Sequence, residues 1–171
     1  MDLPKIMVMG VGNILLSDEG LGVHFLKELG GDDLPANVEV LEGGTAGLEL
    51  IHLIDEVDFL IVVDAVNAKT EPGAVFRFRP MDLRVLPPEY EVSFHQVGII
   101  EVLNMAKLLD QAPESLIFGV QPANMEWGME LTPEIRAVFP RLKSLILEEI
   151  SYVNEHREFK PYPSSDRSEG T

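Results

Sequence analysis

Phe59-Leu60-Ile61-Val62-Val63 is an unbroken apolar run with no polar face to offer to water. A strand of this kind is buried on both faces, which calls for helices above and below its sheet. Three other short apolar runs, residues 5–10, 38–41 and 116–120, have the same character. Helical spacing appears between them. Val23, Leu26 and Leu29 lie on one face of a segment that Gly30-Gly31 ends. Leu48, Ile51 and Ile54 mark a second helix, and Ile99, Val102, Leu103 and Ala106 a third. Thr132 as cap and Pro133 as first helical residue open a final helical region. Pro140 kinks or restarts it, and Leu142, Leu145, Ile146, Ile150 and Val153 continue its buried stripe. After the Pro72-Gly73 turn, residues 74–78 alternate as an edge strand does. Residues 81–91, with Pro87-Pro88, read as loop, and residues 43–47 are too glycine-rich for a strand.

The order β-α-β-α-β-β-α-β-α predicts an α/β fold: a three-layer sandwich with a twisted, mostly parallel sheet of about five strands and helices on both faces. Residues 1–155 form one such domain, and the Pro/Ser-rich stretch 156–171 reads as a disordered tail. The formal net charge of −16 opposes binding to nucleic acid or to an anionic membrane surface. No apolar stretch is long enough for a membrane span or a signal-peptide core, so a cytoplasmic protein is expected. The chain has no cysteine, which excludes disulfides, a thiol nucleophile and thiolate metal sites. Any metal must be held by imidazole nitrogen and carboxylate oxygen.

In an open parallel sheet, ligands bind beyond the carboxyl ends of the strands. Strand one delivers Asp18 and Glu19 to that rim, strand two Glu42, and strand three Asp64. His95, just before the third helix, belongs to the same edge because that helix returns the chain to the sheet. One imidazole with two or three carboxylates suits a borderline divalent ion such as nickel or zinc. Acids are abundant here, and some would reach any rim by chance. Asp64 stands apart, because an acid closing so apolar a strand needs a partner, whether a ligand or a helix N-terminus that it caps. His24 and His52 fall inside helix patterns and read as packing or surface residues. Gly10-Val11-Gly12 permits a second reading, a dinucleotide-binding module, but Leu15 occupies the third glycine position of that fingerprint.

The stretch Gly10-Val11-Gly12-Asn13-Ile14-Leu15-Leu16-Ser17-Asp18-Glu19-Gly20-Leu21-Gly22 resembles the opening signature of the nickel-iron hydrogenase maturation proteases. The Gly43-Gly44-Thr45 loop, the strand ending at Asp64, the Ser93-Phe94-His95-Gln96 step and Leu131-Thr132-Pro133 follow in the family's order. The resemblance implies an endopeptidase that removes the C-terminal extension of the hydrogenase large subunit after nickel insertion. It implies that Glu19, Asp64 and His95 bind the metal, with Glu19 and Asp64 the candidates for catalysis and no nucleophile assigned. Nickel would come with its partner, the large-subunit precursor, and no organic cofactor is expected. Family members commonly carry Asp before the Gly-Gly-Thr loop, where this chain has Glu42. Glu42, Gly43, Gly44 and Thr45 are assigned to substrate recognition. A non-catalytic nickel chaperone is the other alternative to the protease.

Overall fold

The computed structural model describes residues 2–30, 34–85 and 94–163, without the side chains of 83–85 and 94–97. Five strands, β1 (Ile6–Val11), β2 (Val38–Gly44), β3 (Phe59–Ala65), β4 (Val75–Phe78) and β5 (Glu114–Val120), form one sheet in the order β2-β1-β3-β5-β4. All neighbours are parallel except β4, which runs antiparallel to β5 at the edge. The helices are α1 (Leu21–Leu29), α2 (Ile51–Ile54), α3 (Phe94–Leu108), α4 (Pro133–Arg136) and α5 (Phe139–His156).

The two-residue alternation of the central strands divides the core into two halves. Ile6, Val8, Phe59, Ile61 and Val63 pack with Phe25 and Leu29 of α1 and Leu142, Ile146 and Ile150 of α5. Met7, Met9, Leu60 and Val62 pack on the other side with Ile51 and Ile54 of α2 and Ile99, Val102 and Ala106 of α3. The expected three-layer α/β sandwich is therefore the one observed. Among the described residues, no helix is long and apolar enough to cross a membrane.

Two local expectations change, and the choice left open at Pro140 is decided. Gly43 and Gly44 belong to β2 and not to a free loop. The register slips there, so that Glu42 faces Gly10 while Gly44 faces Val11. Gly44 takes φ +51°, a conformation that lets a strand accommodate such a slip without a side-chain penalty. Residues 80–85, placed partly in a loop, form a 3₁₀ turn. Pro140 restarts the last helical region, because α5 begins at Phe139, three residues after α4 ends.

The expected disordered tail is ordered as far as Pro163. Arg157 closes α5 in the left-handed conformation. Phe159 then enters the core, edge-on to Phe59 with ring centroids 5.3 Å apart. Beside it, Glu149 is buried and accepts from Arg77 Nε (3.0 Å) and Nη2 (2.9 Å) and from the Lys160 backbone N–H (2.7 Å). Arg77 Nη2 also donates to the Lys160 carbonyl at 2.7 Å. Composition misled the sequence reading here: the stretch is polar on average, yet the Phe159 ring, the Arg77–Glu149 pair, the Lys160–Glu148 pair and Tyr162, which accepts from Arg79 N at 2.9 Å, hold it. Residues 164–171 lie outside the described set. Phe159→Ala should lower unfolding free energy by about 3 kcal/mol, as large-to-small aromatic core changes do. Urea denaturation measures it, and a loss below about 1 kcal/mol would show that the tail contributes little.

Candidate functional site at the carboxyl rim

The first rim loop is set by backbone packing. Gly10 and Gly22 lie so close that a Cβ on Gly10 would stand 2.2 Å from the Gly22 carbonyl oxygen. A Cβ on Gly22 would in turn stand 2.2 Å from the Val63 carbonyl oxygen. These contacts draw the start of α1 down onto the ends of β1 and β3. Gly12 has φ +129°, and a Cβ there would stand 2.0 Å from the Glu19 carbonyl oxygen. The space beside the glycine turn, where a dinucleotide fold receives a pyrophosphate, is filled by this chain's own backbone. The motif glycines thus serve to seat the 3₁₀ turn Ser17–Gly20 and with it Glu19.

Asp18 is fully buried and anchors that turn. Its carboxylate accepts from the backbone N–H groups of Ala123 (2.9 Å), Asn124 (2.9 Å) and Thr132 (2.8 Å), and from Thr132 Oγ1 (2.8 Å). Asp18 therefore leaves the set of ligand candidates. Thr132 makes no side-chain cap at α4, contrary to expectation, because its hydroxyl is given to Asp18. Ser17, also buried, donates its hydroxyl to the Glu126 carbonyl at 2.8 Å. A third buried polar side chain, Gln121, holds the loop after β3. Its Oε1 accepts from Ala68 N at 2.7 Å, and its Nε2 donates to Asn67 Oδ1 at 3.2 Å. Sequence reading missed Gln121, since a lone glutamine after a strand carries no pattern.

Asp64 closes β3 and is 1% exposed. Its Oδ1 accepts from the Ala65 N–H at 2.8 Å, while its Oδ2 is buried without a hydrogen-bond partner. Burial pushes this carboxyl well above the usual carboxylate range. The Ala65 N–H opposes that rise, and the negative charge of Glu19 adds to it. Glu19, half-buried, is thus near enough to Asp64 for the two charges to be felt.

Alternation along β3 puts Asp64 on the face of Leu60 and Val62, the face that α3 covers. The chain leaves α3 at the amino edge of the sheet, where Glu114 N donates to the Asp58 carbonyl. The helix start, with His95 as its second residue, is therefore directed to the carboxyl edge. The His95 side chain lies outside the described residues. Among the described residues, no three His, Asp or Glu side chains form a metal-holding group. Glu42 is exposed, and alternation along β2 from Val38 places it on the α1 face, opposite to Asp64. Its charge is felt by His24, whose pKa is lowered by burial and by Lys27 and Arg136, with Glu42 acting against them. Thr45 is exposed at the end of the same segment.

The five-stranded α/β sheet with its glycine-seated rim loop is a fold shared with a class of endopeptidases, as comparison with known proteins shows. The hydrogenase maturation protease family pattern (HycI) matches residues 23–149. The hydrogenase expression/formation protein HupD of Bradyrhizobium diazoefficiens is 41% identical over 135 residues, covering 77% of this chain and 70% of the relative. The hydrogenase 2 maturation protease of Escherichia coli is 38% identical, over 83% of this chain and 88% of the relative. The solved structure of the hydrogenase maturating endopeptidase HybD from E. coli superposes with a TM-score of 0.76 at 34% identity, over 88% of this chain and 93% of that one. The chain belongs to the hydrogenase maturation protease family, a class of endopeptidases.

Two stability measurements test the local analysis. Asp18→Ala strands four donors and should cost about 3 kcal/mol or more in urea denaturation; a cost near zero would remove the anchoring role. Asp64→Asn should have the opposite sign. The folded pKa of Asp64 is raised, so the wild type bears no ionisation penalty below the unfolded value of about 3.9. Stability is then lost as pH climbs from there toward the folded value. The Asn variant should melt about 2 °C or more above wild type at pH 8, with the gap narrowing at pH 5.5. A variant that melts lower at both pH values would contradict a buried, penalised carboxyl.

Proposed function

We propose that this chain removes the C-terminal extension of a nickel-iron hydrogenase large subunit once nickel has been inserted, and that Glu19, Asp64 and His95 receive the substrate's nickel. The observation that supports this most is Asp64 Oδ2, a buried acceptor without a partner, with the charge of Glu19 nearby. Burial and, to a lesser degree, the negative charge of Glu19 favour the protonated form of Asp64. A divalent cation brought by the substrate reverses that balance and gives the orphaned oxygen its partner. The donor set of imidazole and carboxylate suits such an ion. A precursor without nickel would leave Asp64 Oδ2 unmet, which is a physical basis for discriminating loaded from unloaded substrate.

In this reading the metal belongs to the substrate, and it helps to position the scissile peptide bond beside the rim. Water is the second reactant of the hydrolysis. Glu19 or Asp64 can accept its proton when it adds to the carbonyl and return that proton to the departing amine. The segment Glu42-Gly43-Gly44-Thr45 takes part in substrate recognition. Glu42 and Thr45 are exposed on it, and the bulge at Gly44 leaves main-chain groups without side-chain cover. Against the alternative of a nucleotide module stands the glycine turn, where a Cβ on Gly12 would meet the Glu19 carbonyl oxygen and no open cradle is left beside it.

Purified protein incubated with nickel-loaded and nickel-free large-subunit precursor should shorten only the loaded form, read by intact-protein mass spectrometry. Asp64→Ala and His95→Ala should each reduce that processing by more than the roughly 10–100-fold that outer-shell changes cost at metal sites. Equal cleavage of both precursors would remove the nickel-recognition step, and full activity of Asp64→Ala would remove Asp64 from it.

A further inference from the structure

The loops that follow β1 and β5 are joined into one rigid platform. Leu16 and Gly128 form a parallel bridge, with Ser17 N donating to the Gly128 carbonyl at 2.8 Å and Gly128 N to the Leu15 carbonyl at 2.9 Å. Asp18 and Ser17 add their side-chain bonds to the same segment. On this fixed backbone Ile14, Leu15, Met125, Trp127 and Met129 are all exposed. Trp127 is the single tryptophan of the chain and is 81% exposed; Met129 is 65% exposed. Scattered apolar residues on a surface need no explanation, but five on two bridged loops form a patch of the kind that marks an interaction site. A flexible loop would lose ordering entropy on binding, whereas this one is already ordered by its hydrogen bonds. Tryptophan and methionine are also enriched in interface cores.

The position of the patch indicates its occupant. Both loops leave carboxyl ends of parallel strands, and Asp18, which ties them together, is followed directly by Glu19. The bridged loops therefore flank Glu19, and a protein substrate brought to Glu19 comes up against them. Residues 12–20 and 122–135 contain no lysine or arginine, while Glu126, Glu130 and Glu134 are exposed there. The complementary surface is apolar with a basic rim.

We propose that the Ile14/Leu15 and Met125/Trp127/Met129 patch is the docking surface for the folded body of the large-subunit precursor, separate from the residues that receive its nickel. The proposal rests on the substrate reading given above. Docking remote from the scissile bond contributes to affinity without entering the chemical step, so its loss appears in KM.

The test compares wild type, Trp127→Ala/Met129→Ser and the distant exposed-site control Leu108→Ala on nickel-loaded precursor. The double variant should raise KM by about 10-fold or more, as the loss of an aromatic anchor does, with kcat within about twofold and an unchanged Tm. The control should behave as wild type. Independently of cleavage, fluorotryptophan at the single Trp127 position should show its fluorine NMR signal shifting on addition of stoichiometric precursor. An unchanged KM in the double variant, or a fluorine signal indifferent to precursor, overturns the docking surface. A signal that moves with the concentration of the free protein alone assigns the patch to a second copy and also overturns it. A wild type that binds precursor and shifts the signal without cleaving it sinks the protease reading while leaving the docking surface in place.

Discussion

The carboxylate of Asp18 holds the carboxyl rim together. It satisfies three backbone N–H groups and one hydroxyl from a loop more than a hundred residues away in sequence, and it does so without contact with water. Charge-assisted bonds of this kind are stronger than neutral ones, and each donor would be costly to leave unpaired in the interior. Loops after strands are ordinarily the mobile part of an α/β fold. Here the first and last of them behave as one body, so Glu19 and the loop carrying Trp127 keep a fixed relation. Gln121 acts similarly on the loop after β3: its side-chain amide accepts a hydrogen bond from Ala68 N and donates one to Asn67 Oδ1.

Against this satisfied framework, Asp64 is the exception. Both oxygens of Asp18 accept hydrogen bonds, whereas Asp64 keeps one oxygen buried and unmet. The two acids differ in what surrounds them and not in their chemistry. Asp18 faces a row of donors, and Asp64 faces the negative charge of Glu19. A fold that retains such a destabilised group gives up stability at a place where binding can return it. A solved member of the hydrogenase maturation protease family shares the fold, and in the function proposed above a cation brought by the substrate would supply the partner that Asp64 lacks.

The opposite edge of the sheet is closed by different means. Arg77 on β4 reaches Glu149 on α5 and, through it, fixes the chain beyond the last helix, where Phe159 covers the amino end of β3. An antiparallel edge strand with exposed backbone would invite unwanted pairing. The ion pair and the returning chain occupy that region and give β4 a neighbour other than solvent.

Much of the architecture was legible in the residues. Phe59-Leu60-Ile61-Val62-Val63 requires two apolar neighbours and so two helical layers, and periodicities of two and near four separate strands from helices along the chain. The rim rule also selects Glu19 and Asp64 from the ends of their strands. Apart from the family resemblance, the sequence read by the rim rule could not tell Asp18 from Glu19, adjacent acids of which one is a structural anchor and the other lies near Asp64, because the difference depends on donors supplied by Ala123, Asn124 and Thr132. Nor could it separate Glu42 from Asp64, which alternation places on opposite faces of the sheet, or foresee that Phe159 would enter the core. Local pattern determines which segments become strands and helices, since propensity and amphipathicity act over a few residues. Which polar groups meet is decided only when distant segments pack, because hydrogen bonds and burial depend on partners that short-range pattern does not contain.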